Sequence, residues 1–161
     1  RETHNQDLPY RHDKRIREWC FGSLDGGYDG ELFQGVLPRT VALATGKPDD
    51  QVTYPELAAG IMEVDTANWA EPWEVLSKRI LDGFFDAAKK AEANGAENIV
   101  IVSHGMTIAT FIKLLDSRRP KFQGLDNGSV THLTYSDGNF SIGEIGDMSY
   151  RELGRQILNA E

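Results

Sequence analysis

The run Asn98-Ile99-Val100-Ile101-Val102 passes without a break into Ser103-His104-Gly105-Met106. Four consecutive β-branched apolar residues show no alternation. This predicts a strand buried on both faces, hence central in a sheet and parallel to its neighbours. Ser103-His104-Gly105 ends the strand. Ile108, Phe111, Ile112 and Leu115 then recur at steps of three and four, which predicts a helix from Met106 to Asp116. A strand that gives way directly to a helix is an α/β unit, and ligands collect at the carboxyl ends of such strands.

The flanking sequence extends the pattern. Trp73, Leu76, Ile80, Phe84, Ala87 and Ala91 mark one apolar face of a helix predicted over 72–93. Pro72 suits its first position, Glu71 and Glu74 complement the positive end of its dipole, and Asn94-Gly95 is the expected stop. Shorter helices are predicted near 37–45 and 54–66, with the turn-rich Gly46 to Asp50 between them. Ser129–Tyr135 and Phe140–Ile145 flank Ser136-Asp137-Gly138-Asn139, a hairpin signal. A last helix is expected over Ser149–Leu158.

Composition sets outer bounds. With 161 residues, 40% hydrophobic and 26% charged, the sequence reads as one domain over 1–161. A single cysteine, Cys20, excludes an internal disulfide and points to a reducing, cytoplasmic setting. No stretch reaches the length of a membrane-spanning helix, and the opening residues do not read as a signal segment. Cys20 lacks the phosphate loop of a cysteine phosphatase. Gly-x-Ser-x-Gly is absent, and the four histidines show no metal-ligand spacing, so neither a metal nor a cofactor is expected.

The net charge of −8 is concentrated. Residues 23–74 hold ten acids against Arg39 and Lys47, while the remainder balances. Such a field disfavours nucleic acid and anionic membrane as partners.

Two residues stand out as candidates for chemistry. His104 sits where the predicted strand meets the helix, and the Gly105 and Met106 amides would begin that helix, where an anion such as phosphate is attracted. Glu18 lies in Arg15-Ile16-Arg17-Glu18-Trp19-Cys20-Phe21-Gly22, a carboxylate among aromatics. Apolar neighbours could keep it protonated as a general acid, and the plain alternative is a solvated partner for Arg15 or Arg17. His132 reads as a strand-face residue, and His4 and His12 lie in loop sequence.

Taken together, Glu18 four residues before Gly22, Ser103-His104-Gly105 after an apolar strand, and Asn127-Gly128-Ser129-Val130-Thr131 leading a hairpin resemble the histidine phosphatase superfamily in its phosphoglycerate-mutase-like branch. The resemblance covers about residues 8–153. It implies a three-layer α/β/α sandwich with a mostly parallel central sheet and a phosphorylated small-molecule substrate. In that family a histidine of an Arg-His-Gly motif on the first strand is phosphorylated. His104 matches a second histidine that binds the phosphoryl group, with Gly105 and Met106 beside it. Glu18 matches the acid that protonates the leaving oxygen, and Trp19 follows it at a substrate-binding position.

No Arg-His-Gly occurs in this sequence. Arg1-Glu2-Thr3 resembles the tail of a family motif whose arginine lies further upstream. The expectation is therefore a domain incomplete at its N-terminus, lacking the strand unit that carries the nucleophile. Mutases of the branch place an arginine after the acid and basic residues in the following insertion. Here Trp19 follows, and residues 23–71 form an acidic insertion that would act as a lid. Repulsion of a heavily anionic bisphosphate then favours a phosphomonoester hydrolase. The alternatives are a phosphoglycerate mutase or a catalytically inactive binder of a phosphorylated ligand.

Overall fold

A computed structural model describes residues 8–27, 37–48, 51–119 and 125–159. Asp29, Glu31, Asp49 and Asp50 of the acidic insertion, and His4, lie outside the described residues. Five helices and one sheet are found among them: α1 (Leu37–Thr45), α2 (Tyr54–Val64), α3 (Trp73–Ala93), α4 (Gly105–Leu115), β1 (Leu133–Ser136), β2 (Asn139–Ile142) and α5 (Ser149–Leu158). No described helix is long and apolar enough to cross a membrane.

The helices form where the apolar spacing places them. In α2 the Thr53 hydroxyl accepts from the Glu56 amide while the Glu56 carboxylate reaches back to the Thr53 amide, a capping box that sets the start. Lys47, then the Thr53 amide and hydroxyl, hold the Glu56 carboxyl down to about 2. Helix α3 starts at Trp73, so Pro72 is its cap rather than its first helical residue, and it stops at Asn94. Its inward face is Leu76, Ile80, Phe84 and Ala88, with Ala87 and Ala91 only half-buried. On α4, Phe111 and Ile112 are buried, and Phe84 stacks on Phe111 at 4.2 Å.

The hairpin is shorter than the sequence implies. β1 and β2 pair antiparallel, with Leu133 opposite Ile142 and Ser136 opposite Asn139. Asp137 and Gly138 both take positive φ, the turn geometry that matches the twist of paired strands. Tyr135 and Phe140 bring the pair onto Phe85, and Phe140 also meets Phe111 edge-on at 5.2 Å. A single bridge, Val130 with Asp147, extends the pairing beyond the strands.

Ile99–Val102 departs from the expectation of a buried central strand. The segment is not in a strand, and the sheet of the described residues contains only β1 and β2. Val100 is 91% and Val102 85% exposed. The reason is non-local: a strand exists only where a neighbour supplies ladder hydrogen bonds, and none of the described residues does so here. Ile101 alone turns inward, against the core. The fold is thus α/β; the expected hairpin is present, and no parallel pairing occurs among the described residues.

Candidate functional site

A 3-10 turn, Lys14–Ile16, runs on through Arg17 and Glu18 as a strip laid across α3. Gly83, inside that helix, makes room for it: a Cβ there would lie 2.8 Å from Ile16 Cγ2 and 3.1 Å from Arg15 Cβ. Glycine weakens a helix interior, so its presence follows from the close approach. The strip then turns through Trp19 to Gly22, whose φ is +64°. A Cβ at Gly22 would lie 2.1 Å from Asp65 Cγ, so both the backbone angle and the neighbour demand glycine.

Asp65 locks this end. Its carboxylate accepts from the amides of Ser23 (2.7 Å), Ala67 (2.9 Å), Trp69 (2.6 Å) and Ala70 (2.8 Å). Burial opposes its charge, yet those amides outweigh burial and hold the carboxyl well below the usual carboxylate range.

Glu18 lies on the first turn of α4. Its Oε1 accepts from the amides of Trp19 (3.0 Å) and Thr107 (2.9 Å), and Oε2 accepts from the Met106 amide (3.1 Å). The Thr107 hydroxyl lies 2.9 Å from Oε1 and 2.7 Å from the Arg17 carbonyl, and donates toward both. The anion at this helix N-terminus is therefore the protein's own carboxylate. The Met106 amide, expected to face a substrate, is committed to Glu18.

His104 is the N-cap of α4, with extended backbone and no side-chain capping bond, and its side chain is exposed. Its carbonyl accepts the first helical bond, from Ile108. Glu18 and His104 thus meet on one helix terminus although 86 positions separate them in the sequence. Gly105, the first residue of α4, has open space where a Cβ would go, its nearest neighbour being the Leu125 carbonyl at 4.0 Å.

Trp19 lies elsewhere in character. It is 4% exposed, its indole N–H donates to Thr110 Oγ1 at 3.1 Å, and its ring meets Tyr54 and Trp73. The side chain belongs to the core beneath Glu18. Arg15 pairs with Asp13 and Asp86, and Arg17 with Glu71, so neither serves as the solvated partner of Glu18. His132 stands exposed on the hairpin, 3.7 Å from Asp147, and His12 packs edge-on against Tyr10. Among the described residues no three His, Cys, Asp or Glu side chains are grouped to hold a metal ion.

Thr107 and Arg79 escape the motif reading, and Ser103, quoted within a motif, is given no role by it. Ser103 Oγ donates to the Ile16 carbonyl at 2.7 Å, Thr107 joins Glu18 to Arg17, and Arg79 binds the strip from below. Arg79 did leave a signal, since a charge between Leu76 and Ile80 interrupts the inward stripe of α3. Glu71, read as a helix-dipole charge and part of an acidic field, pairs instead with Arg79 and Arg17.

The family model of the histidine phosphatase superfamily (branch 1) matches residues 1–148. Among solved structures, the crystal structure of phosphoglycerate mutase from Bacillus anthracis str. Sterne is similar at a TM-score of 0.80 and 30% identity, over 95% of this chain. The chain spans 66%, just under two thirds, of that mutase's length. No curated protein matches.

Proposed function

From the premise that the chain belongs to the histidine phosphatase superfamily (branch 1), we propose that it serves a phosphomonoester hydrolase working through a phosphohistidine. One observation carries the reading: Glu18 is seated on the helix turn capped by His104. A phosphoryl group held at His104 and the Gly105 amide would place its ester oxygen near a carboxyl able to protonate it. Glu18 then donates a proton as the P–O bond breaks, and the alcohol leaves neutral. Thr107 suits this role. Its single hydroxyl proton has Arg17 as the nearer acceptor, which leaves its oxygen lone pairs for Glu18 when that carboxyl carries a proton.

The reading needs a nucleophilic histidine, and no Arg-His-Gly occurs in this sequence. It has that histidine on a strand beside Ile99–Val102, completing a three-layer sandwich with a mostly parallel sheet. Residues 23–71 act in it as a lid over a singly phosphorylated substrate.

Mutase activity is the second reading, supported by the likeness to the Bacillus anthracis mutase. Against it stands the residue after Glu18, a buried tryptophan where the resemblance puts a substrate-binding arginine. Incubating the full-length protein with 3-phosphoglycerate and with p-nitrophenyl phosphate, followed by phosphorus NMR, separates the two. Release of inorganic phosphate from both is expected. Interconversion of 3- and 2-phosphoglycerate without phosphate release would replace the hydrolase with the mutase.

A further inference from the structure

We infer that Arg79, clamped by Glu71, is a positioning residue that sets Glu18 against the first turn of α4; the functional part of this inference rests on the proton-donor reading above. The strip that carries Glu18 has no sheet ladder to hold it. Instead, the carbonyls of four successive residues accept from side chains. Arg79 Nη1 donates to the carbonyls of Arg15 (2.8 Å) and Arg17 (2.9 Å), and Nη2 donates to that of Glu18 (2.8 Å). Ser103 takes the carbonyl of Ile16 between them.

The remaining guanidinium donors go to Glu71. Nε lies 2.9 and 3.1 Å from its two carboxylate oxygens, and Nη2 lies 2.6 Å from Oε2. Every N–H of the guanidinium therefore has an acceptor, which only a planar five-donor fork can achieve. Arg79 is 8% exposed, and the Glu71 side chain is nearly as buried. A buried charge left without its partner is strongly unfavourable, so the pair is fixed as a unit.

Glu18 is thereby held at two points from two helices. Its backbone is held by Arg79 of α3, and its carboxylate by the Met106 and Thr107 amides of α4. Releasing the first point leaves the proton donor held by the α4 amides alone, so those bonds open more often and the carboxyl shifts along the strip. Misplacement on the scale of an ångström is enough to slow proton transfer without weakening phosphate binding.

Arg79→Lys in the full-length protein tests this. Lysine keeps the charge but offers three donors from one point, too few for three carbonyls and a bidentate carboxylate. Two readouts distinguish positioning from bulk stability. Amide hydrogen exchange at Met106 and Thr107 should quicken at least about tenfold, while Ile112 on the same helix stays protected. The kcat for an alkyl phosphate should fall about 10–100-fold with KM little changed, while p-nitrophenyl phosphate, whose leaving group needs no proton, loses less than about threefold.

Unchanged exchange at Met106 and Thr107 would overturn the positioning role, and so would equal losses with both esters. Should Arg79→Lys fail to fold, Glu71→Gln takes its place, and the same selective pattern at smaller amplitude is required of it. If the unsubstituted protein hydrolyses neither ester, the hydrolase reading fails by itself. The exchange measurement then decides the positioning of Glu18 alone.

Discussion

Ile99–Val102 and the strip at residues 15–18 both lie outside any sheet of the described residues near the N-terminus of α4, yet they are held in opposite ways. The strip has no ladder, and its carbonyls are taken by Arg79, Ser103 and Thr107. The apolar run has the composition of a central strand but no ladder among the described residues, and Val100 and Val102 face outward. A segment whose polar groups are met by side chains is specified by its own neighbourhood. A segment that needs a strand beside it is specified only when that strand is present.

Substitutions in the two segments should therefore differ sharply, and the greatest effect belongs to the end of the strip. Gly22→Ala puts a Cβ 2.1 Å from Asp65 Cγ in a left-handed backbone. It should cost more than the roughly 1–3 kcal/mol of backbone strain alone, read by urea denaturation. A loss below about 1 kcal/mol would mean that Asp65 does not clamp this turn.

Asp65 itself makes a pH-dependent prediction. Because its folded carboxyl is held below the ordinary value, the stability it supplies is complete above the unfolded value near ~3.9 and drains as pH falls through the lower folded one. In Asp65→Asn that part of the acid sensitivity should vanish. Its stability should be lower at neutral pH, and its stability–pH curve below about 4 should be flatter than that of the unsubstituted protein. Parallel curves in that window would contradict the amide clamp.

Thr107→Val, nearly the same shape, removes the hydroxyl between the Arg17 carbonyl and Glu18. A loss of about 1–3 kcal/mol is expected from denaturation, since the site is buried and the Arg17 carbonyl loses a donor. At the other extreme, Val100→Ser should change the stability of this chain by no more than about 0.5 kcal/mol, as for an exposed position. The same substitution in a longer form of the protein measures whether a neighbouring strand covers the segment. A loss there of about 1 kcal/mol or more would show that it does.

How much of this was legible in the sequence follows the same division. Helices α1 to α5 were legible because a 3.6-residue stripe is a local property, and the turn at Asp137-Gly138 announces its hairpin through backbone angles few residues adopt. Glu18 and His104 stand out by likeness to a family, while the bonds that bring the Glu18 carboxylate to the helix His104 caps are not legible there. Thr107 is an unremarked helix residue until Glu18 is beside it. Arg79 was passed over because a charge on an apolar face looks like an interruption until its acceptors are known.

The acidic segment holds carboxylates whose individual roles a charge count does not show. A charge count treats every carboxylate as a source of field. Asp65 is buried among amides, Glu71 faces two arginines, and Glu56 closes a capping box with Lys47 beside it. Those three carboxylates stabilise the fold.

The decisive measurement is made on Glu18→Gln in the full-length protein, which keeps the shape of the side chain and removes its proton. The kcat for an alkyl phosphate and for p-nitrophenyl phosphate should be measured side by side. If Glu18 protonates the leaving oxygen, the alkyl ester should slow by about 10²–10⁴-fold and the nitrophenyl ester far less. Equal slowing of both would show that Glu18 only anchors the start of α4.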